Sequence, residues 1–111
     1  MSAKPVLRRA SARRDIEFAA DYYDREADPD VAMRFIDAVE AAILAISDRP
    51  GAGSPAWSER LKISGLRSRP TGQFPYALFY VEHEEHIEIW RVLHAKRDIP
   101  TAFVGNDGAI G

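Results

Sequence analysis

Apolar residues recur at helical spacing through the first half of the chain. Residues Pro5–Ala10 predict a short strand, since proline at its start removes only one backbone donor. Ser11 is the predicted N-cap of the helix that follows. One side of this helix carries the apolar residues Ile16, Ala19, Ala20, Tyr23 and Ala27. Their spacing predicts an amphipathic helix.

A second helix is predicted from Asp28 to Asp48. Aspartate is a favourable N-cap, and Pro29 suits the first helical position, where the missing N–H has no helical partner. The apolar face consists of Val31, Phe35, Val39, Ala42, Ile43 and Ile46, with Ile36 beside them. Pro50 cannot continue the helix, and two helices joined by so short a break should form an antiparallel hairpin. The Gly- and Pro-rich residues 50–55 predict a linker to a strand-forming half.

Three runs rich in aromatic and β-branched residues follow, at Leu61–Arg69, Phe74–Glu82 and His86–Ala95. They predict an antiparallel meander, with Glu84–Glu85 at its last turn. This register places on one face Ala77, Phe79, Val81, Trp90 and Val92. The other face then carries Tyr76, Leu78, Tyr80, Ile89, Arg91 and Leu93. Both faces are largely apolar, so we expect the helices to cover one face and a partner to cover the second.

The composition is that of a single globular domain spanning residues 1–111, with its core at residues 6–100. Hydrophobic residues make up 46% and charged residues 29% of the chain, as in ordinary folded proteins. The absence of cysteine excludes disulfides and thiolate metal sites. No segment is apolar enough for a signal peptide or a bilayer span, and we expect a cytoplasmic protein. Residues 101–111 predict a flexible tail, in which Phe103 and Val104 could dock.

Charge is unevenly distributed along the chain. The net charge of −2 argues against direct DNA binding, because proteins that bind phosphate backbones are usually basic. Ten acidic residues lie between Asp15 and Asp48, against two arginines. From Arg60 to Arg69 there are four basic residues and no acid. The acidic helices either form a solvated face or help to position a basic partner.

Several short motifs occur in an order that resembles the RelE/ParE toxin family. They are Ala12-Arg-Arg-Asp-Ile16 with Asp21-Tyr22-Tyr23, Ala32-x-x-Phe35, Arg49-Pro-Gly51, Leu66-Arg67-Ser68-Arg69, Phe74-Pro75-Tyr76 and Arg91-Val-Leu-His94-x-x-Arg97-Asp98. Each motif is weak alone. Their order, together with the succession of strand, two helices and meander, makes the chain similar to this family from Val6 to Pro100.

The resemblance implies an α+β fold with a short N-terminal strand, an antiparallel helical hairpin and a three-stranded antiparallel meander. It also implies the toxin of a type II toxin–antitoxin pair, a class associated with plasmid stabilisation, held inactive by a cognate antitoxin in a hetero-oligomer. ParE-like members of the family poison DNA gyrase, whereas RelE-like members cleave mRNA on the ribosome. The acidic net charge and the few lysines of the sheet region favour the ParE-like branch. That branch requires no catalytic residue, cofactor or metal. The alternatives are a ribosome-dependent endoribonuclease and a non-toxic antitoxin-binding module.

Two sets of residues are predicted to bind partners. The predicted target-binding set is Arg67, Arg69, Arg91, His94, Lys96 and Arg97. The predicted antitoxin-binding set is an open apolar face made of Tyr76, Leu78, Tyr80, Ile89 and Leu93. In the endoribonuclease alternative, phosphate is bound by Arg67, Arg91, His94 and Arg97, and His94 or Tyr80 moves a proton.

Structural roles compete with these assignments. Arg97 and Asp98 can form a local ion pair at a strand end. Arg67 and Arg69 share one strand face, where they either contact a partner or guard an exposed edge against aggregation. The two histidines at positions 83 and 86 flank a turn and lack a third ligand, so no metal site is predicted.

Overall fold

A computed structural model describes residues 4–96, 99 and 103. In chain order its elements are β1 (Val6–Arg8), α1 (Ala10–Glu26), α2 (Pro29–Asp48), a 3₁₀ turn (Pro50–Ala52), α3 (Ala56–Leu61), β2 (Leu66–Thr71), β3 (Phe74–Glu82) and β4 (Ile87–His94). The strands form one sheet in the order β1–β4–β3–β2, with β1 parallel to β4 and the other neighbours antiparallel. The predicted α+β arrangement is confirmed. In the described part of the chain, no helix is both long and apolar enough to cross a bilayer.

The two long helices begin in different ways. The Asp28 carboxylate accepts hydrogen bonds from the backbone N–H groups of Asp30 (2.8 Å) and Val31 (3.2 Å), so the predicted cap of α2 is confirmed. The predicted cap of α1 is wrong, because Ser11 lies inside the helix and its Oγ donates to the carbonyl oxygen of Trp90 at 2.9 Å. This hydroxyl therefore ties α1 to β4.

The first strand of the meander begins later than predicted. The six residues of α3 lie where a linker and the start of a strand were expected. Lys62 ends this helix in a left-handed conformation with φ of 57°, and β2 starts at Leu66 instead of Leu61. This helix was not predicted because the glycines and prolines of residues 50–55 directly precede it and indicate a loop. Its Trp57 packs against the sheet.

Each face of the sheet is covered by the chain itself. On the side of α1 and α2 the buried residues are Ala12, Ile16, Ala19, Phe35, Val39, Ala42, Ile43, Ile46, Leu78, Tyr80, Ile87, Ile89 and Val92. On the other side the buried residues are Leu66, Phe79, Val81, Ile99 and Phe103, and α3 packs against them. The ring centroids of Phe79 and Phe103 lie 5.2 Å apart. The other residues of the predicted tail lie outside the described part of the chain.

The prediction of an open apolar face on β3 and β4 is wrong. Leu78, Tyr80 and Ile89 are each 0% exposed and lie beneath the helices. Tyr76 is half-buried against the same cluster. A partner cannot contact these side chains while the helices remain in place, so they do not form an accessible groove.

Leu93, the fifth residue of the predicted antitoxin-binding set, lies on the other face of the sheet because β4 contains a β-bulge. Phe79 pairs with Arg91, but the next residue, Tyr80, pairs with Ile89, so Trp90 is an extra residue in β4. After the bulge, each side chain of β4 points to the face of the sheet opposite to the one that strict alternation predicts. Leu93 therefore packs on the α3 side of the sheet, and the residue before it faces the long helices.

Candidate functional site

The basic residues of the predicted target-binding set lie on β2 and β4. These strands run in the same direction, because each is antiparallel to β3 between them. Their C-terminal ends therefore lie at one end of the sheet, with Arg69 on β2 and both His94 and Lys96 at the end of β4. Arg97, the last member of the set, lies outside the described residues. We call this region the basic sheet end.

Arg91 is held by α1. Its Nε and Nη2 donate to the two carboxylate oxygens of Asp15 at 2.7 and 2.9 Å. The hydrogen bonds and the negative charge of Asp15 raise the pKa of Arg91, as expected for a bidentate charged pair. The two side chains are only 17% and 13% exposed. Arg91 therefore contributes directly to the packing of α1 on the sheet.

The side chains of α1 also cover part of the β4 edge. β1 pairs only with Ile87–Ile89, and among residues 4–96 no other strand pairs with the later residues of β4 on that side. Ser11 donates to the Trp90 carbonyl, and Asp15 accepts the Val92 N–H at 2.9 Å. A spacing of four residues places Ser11 and Asp15 on the same side of a helix, so both reach this edge.

Arg67 and Tyr80 anchor the 3₁₀ turn to the sheet. Arg67 Nη1 donates to the carbonyl oxygen of Gly53 at 2.8 Å, and Tyr80 Oη donates to that of Pro50 at 2.6 Å. Tyr80 is fully buried, and this burial raises the pKa of its hydroxyl. A Cβ atom at Gly53 would overlap Tyr80 Oη. Glycine is therefore what allows the loop to lie this close to the sheet.

The basic sheet end presents three further side chains. Arg69 is half-buried on β2, and Lys96 is exposed. The His94 ring lies 5.3 Å from the Tyr76 ring, centroid to centroid, in a T-shaped arrangement. Its Nδ1 accepts the backbone N–H of Lys96 at 3.2 Å. These contacts orient the His94 ring at the point where the chain leaves the sheet.

The residues predicted to bind phosphate in the endoribonuclease alternative do not, where the structure describes them, lie around one point. Arg67 lies on β2, whereas Arg91 and His94 lie on β4, with β3 between the two strands. The guanidinium groups of both arginines bond to groups of the chain itself. Tyr80, the second candidate for moving a proton, is buried beneath the helices. General acid–base catalysis needs such groups within hydrogen-bond reach of the reacting atoms.

The helical hairpin exposes large apolar side chains that do not belong to either predicted binding set. Phe18 is 79% and Tyr22 46% exposed on α1, and Met33 is 60% and Leu44 71% exposed on α2. Each lies off the face that packs on the sheet. The helical period contained this signal, since it places Met33 and Leu44 on the side of α2 away from Phe35.

No group of three or more potential metal-ligating side chains occurs within the residues that the structure describes. Two surfaces available for function there are the basic sheet end and the exposed surface of the hairpin. Both are exposed surfaces of the kind that can bind a macromolecule.

Comparisons with known proteins agree with the fold. The sequence model of a protein family described as the ParE toxin of the type II toxin–antitoxin system, parDE, matches residues 6–99. No curated protein matches the chain. A solved structure described as the chromosomal ParDE TA system from P. aeruginosa has a TM-score of 0.71 and 17% sequence identity. The alignment covers 85% of this chain and 98% of that chain.

Proposed function

Since this chain belongs to the ParE toxin family of type II toxin–antitoxin systems, we propose that it inhibits DNA gyrase by protein–protein contact. A cognate antitoxin neutralises it in a hetero-oligomer, and both partners act in the cytoplasm. Direct DNA binding is not part of this proposal, because the net charge of the chain is −2.

The observation that supports contact over RNA cleavage is the placement of Arg91. Its guanidinium binds the Asp15 carboxylate through two hydrogen bonds. Binding an RNA phosphate would require Arg91 to leave a carboxylate that is itself only 13% exposed. Removing the partner from such a carboxylate is unfavourable. The fold therefore uses this arginine for its own stability, which favours a binding surface elsewhere.

The target-binding surface that we propose is the basic sheet end. Arg69, His94 and Lys96 lie there, and Arg97 belongs to the same proposal on the basis of sequence. Arg67 and Arg91, also in the predicted set, contribute to this surface by holding the 3₁₀ turn and α1 in place.

Induction of the chain in bacteria without its antitoxin tests the proposal. DNA-damage signalling and protein synthesis are recorded in parallel. We expect early DNA damage and filamentous growth while translation continues. A prompt arrest of translation with cleaved mRNA would instead support the endoribonuclease alternative, and normal growth would support a non-toxic binding module.

A supercoiling assay with purified gyrase tests the proposed surface. Arg69→Ala and Lys96→Ala should each reduce inhibition, because they remove positive charge from the basic sheet end. Arg14→Ala is the matched control, since Arg14 is an exposed arginine on α1. Equal inhibition by all three variants would show that the basic sheet end does not bind gyrase.

A further inference from the structure

A cleft separates the N-terminal half of α2 from the turn between β2 and β3. Its volume is about 570 Å³, within the range of about 300–1,000 Å³ that is usual for clefts that bind small molecules. We call it the turn cleft. The residues that line it are Val31, Arg34, Asp37, Ala38, Gln73 and Phe74. The lining therefore combines a cation, a carboxylate, an amide and apolar groups.

The strand side of the turn cleft is held in place by contacts of the chain itself. The Phe74 ring packs edge to face against the rings of Tyr23 and Phe35, at centroid distances of 5.3 and 5.4 Å. Next to the turn, the buried Thr71 hydroxyl donates to the carbonyl oxygen of Tyr76 at 2.9 Å. The cleft is therefore formed in the free protein and needs no ligand to shape it.

The two charged residues of the turn cleft are not paired with each other. Arg34 has one aspartate four residues before it, Asp30, and another three residues after it, Asp37. Both spacings commonly give ion pairs on a helix surface. Among residues 4–96, however, no ion pair joins Arg34 or Asp37 to another residue. The guanidinium and the carboxylate therefore both remain available at the cleft.

We propose that the turn cleft binds a free α-amino acid with a large apolar side chain. Arg34 binds the α-carboxylate, since a guanidinium and a carboxylate can form two parallel hydrogen bonds. Asp37 binds the α-ammonium group. The apolar side chain of the ligand packs on the Phe74 ring, the aromatic part of the lining. The Gln73 amide can donate to the carboxylate or accept from the ammonium group.

The spacing of the two charges favours an α-amino acid. Residues three apart in a helix have Cβ atoms about 5–6 Å from each other, so Arg34 and Asp37 present opposite charges to one small region. In an α-amino acid, the ammonium and carboxylate groups are attached to the same carbon atom. Each charge of the ligand therefore meets the opposite charge of the chain.

Charge also decides against other small ligands. A nucleotide would bring its phosphate close to the Asp37 carboxylate, and like charges repel each other. An uncharged apolar ligand would remove water from Arg34 and Asp37 without replacing the lost hydrogen bonds, which is unfavourable. A zwitterion satisfies both residues.

L-Phenylalanine and two of its derivatives test the proposal. Phenylalaninamide lacks the carboxylate, as does the first residue of a peptide, and N-acetylphenylalanine lacks the ammonium group, as does the last. Binding of each to the full chain is measured by NMR titration up to millimolar ligand, at slightly acidic pH so that the amine of the amide stays protonated. We expect phenylalanine to bind at least about fivefold more tightly than either derivative, which corresponds to about 1 kcal/mol.

Variants of the chain assign each charged contact. Arg34→Gln should bind phenylalanine and phenylalaninamide with similar affinity, because the carboxylate has lost its partner. Asp37→Asn should likewise bind phenylalanine and N-acetylphenylalanine with similar affinity. Arg14→Gln and Asp24→Asn are the matched controls, since both residues are exposed on α1, and they should keep the preference of the wild type. Circular dichroism and thermal unfolding establish that each variant is folded.

Four results would each overturn the proposal: no binding of phenylalanine, binding of either derivative as tight as that of phenylalanine, an unchanged preference in Arg34→Gln and Asp37→Asn, or an equal loss of preference in the two controls. Gyrase and antitoxin take no part in these measurements. The inference therefore stands or falls independently of the proposed function.

Discussion

Replacing Gly53 by alanine tests how the 3₁₀ turn is anchored to the sheet. The backbone of Gly53 has φ of −70° and ψ of 160°, an extended conformation that any residue can adopt. An added Cβ would nevertheless overlap Tyr80 Oη and lie 3.0 Å from the carbonyl oxygen of Ser68. Either the Tyr80 hydroxyl leaves its acceptor, the Pro50 carbonyl, or the loop moves away from the sheet.

Both responses destabilise the folded state. Overpacking a close contact costs about 1–3 kcal/mol, and leaving a buried hydrogen-bonding group unpaired costs about 1–3 kcal/mol. Partial contributions from both lead us to expect that Gly53→Ala lowers the free energy of unfolding by about 2–4 kcal/mol. For a domain of this length, each kcal/mol lowers Tm by about 4 °C.

Urea unfolding followed by circular dichroism measures the change. Gly51→Ala is the matched control in the same loop, because a Cβ there has no atom within 4 Å, and its effect should stay within about 0.5 kcal/mol. In a Tyr80→Phe background, which lacks the overlapping oxygen, the penalty of Gly53→Ala should fall by about 1 kcal/mol or more. Equal stability of the two alanine variants, or an unchanged penalty in the Tyr80→Phe background, would refute the reasoning.

Three further changes test other contacts. Asp28→Ala removes the cap of α2 and should cost about 1 kcal/mol in urea unfolding; an unchanged midpoint would show that the cap is dispensable. Arg91→Ala and Asp15→Ala should each cost about 2–3 kcal/mol and the double variant less than their sum, whereas strict additivity would mean that the pair is not coupled. The raised pKa of Tyr80 means that the folded state retains the phenolic proton more strongly than the unfolded chain. Its contribution is therefore complete below about pH 10 and is lost as pH rises through the folded-state pKa. As the pH is raised above about 10, the free energy of unfolding should fall more for the wild type than for Tyr80→Phe. An equal fall in both proteins would contradict this.

The helices were predictable because several independent signals agree in them. α2 is 20 residues long, so its apolar period repeats over several turns and cannot be mistaken for a strand. Asp28 and Pro29 mark its start with side-chain chemistry that acts locally. The order of helices and strands followed from the same local signals, and this order is what the family resemblance rests on.

The covering of the sheet was not predictable in the same way. α3 is only six residues long, too short for its period to stand out from the glycines and prolines around it. The bulge at Trp90 depends on which residues of β3 and β4 pair, and side-chain alternation along one strand contains no such information. Ser11 resembled an N-cap in sequence, yet its hydroxyl bonds to a strand that is distant in the chain. The predicted antitoxin-binding face was therefore thought to be open, whereas its residues Leu78, Tyr80 and Ile89 lie in the core.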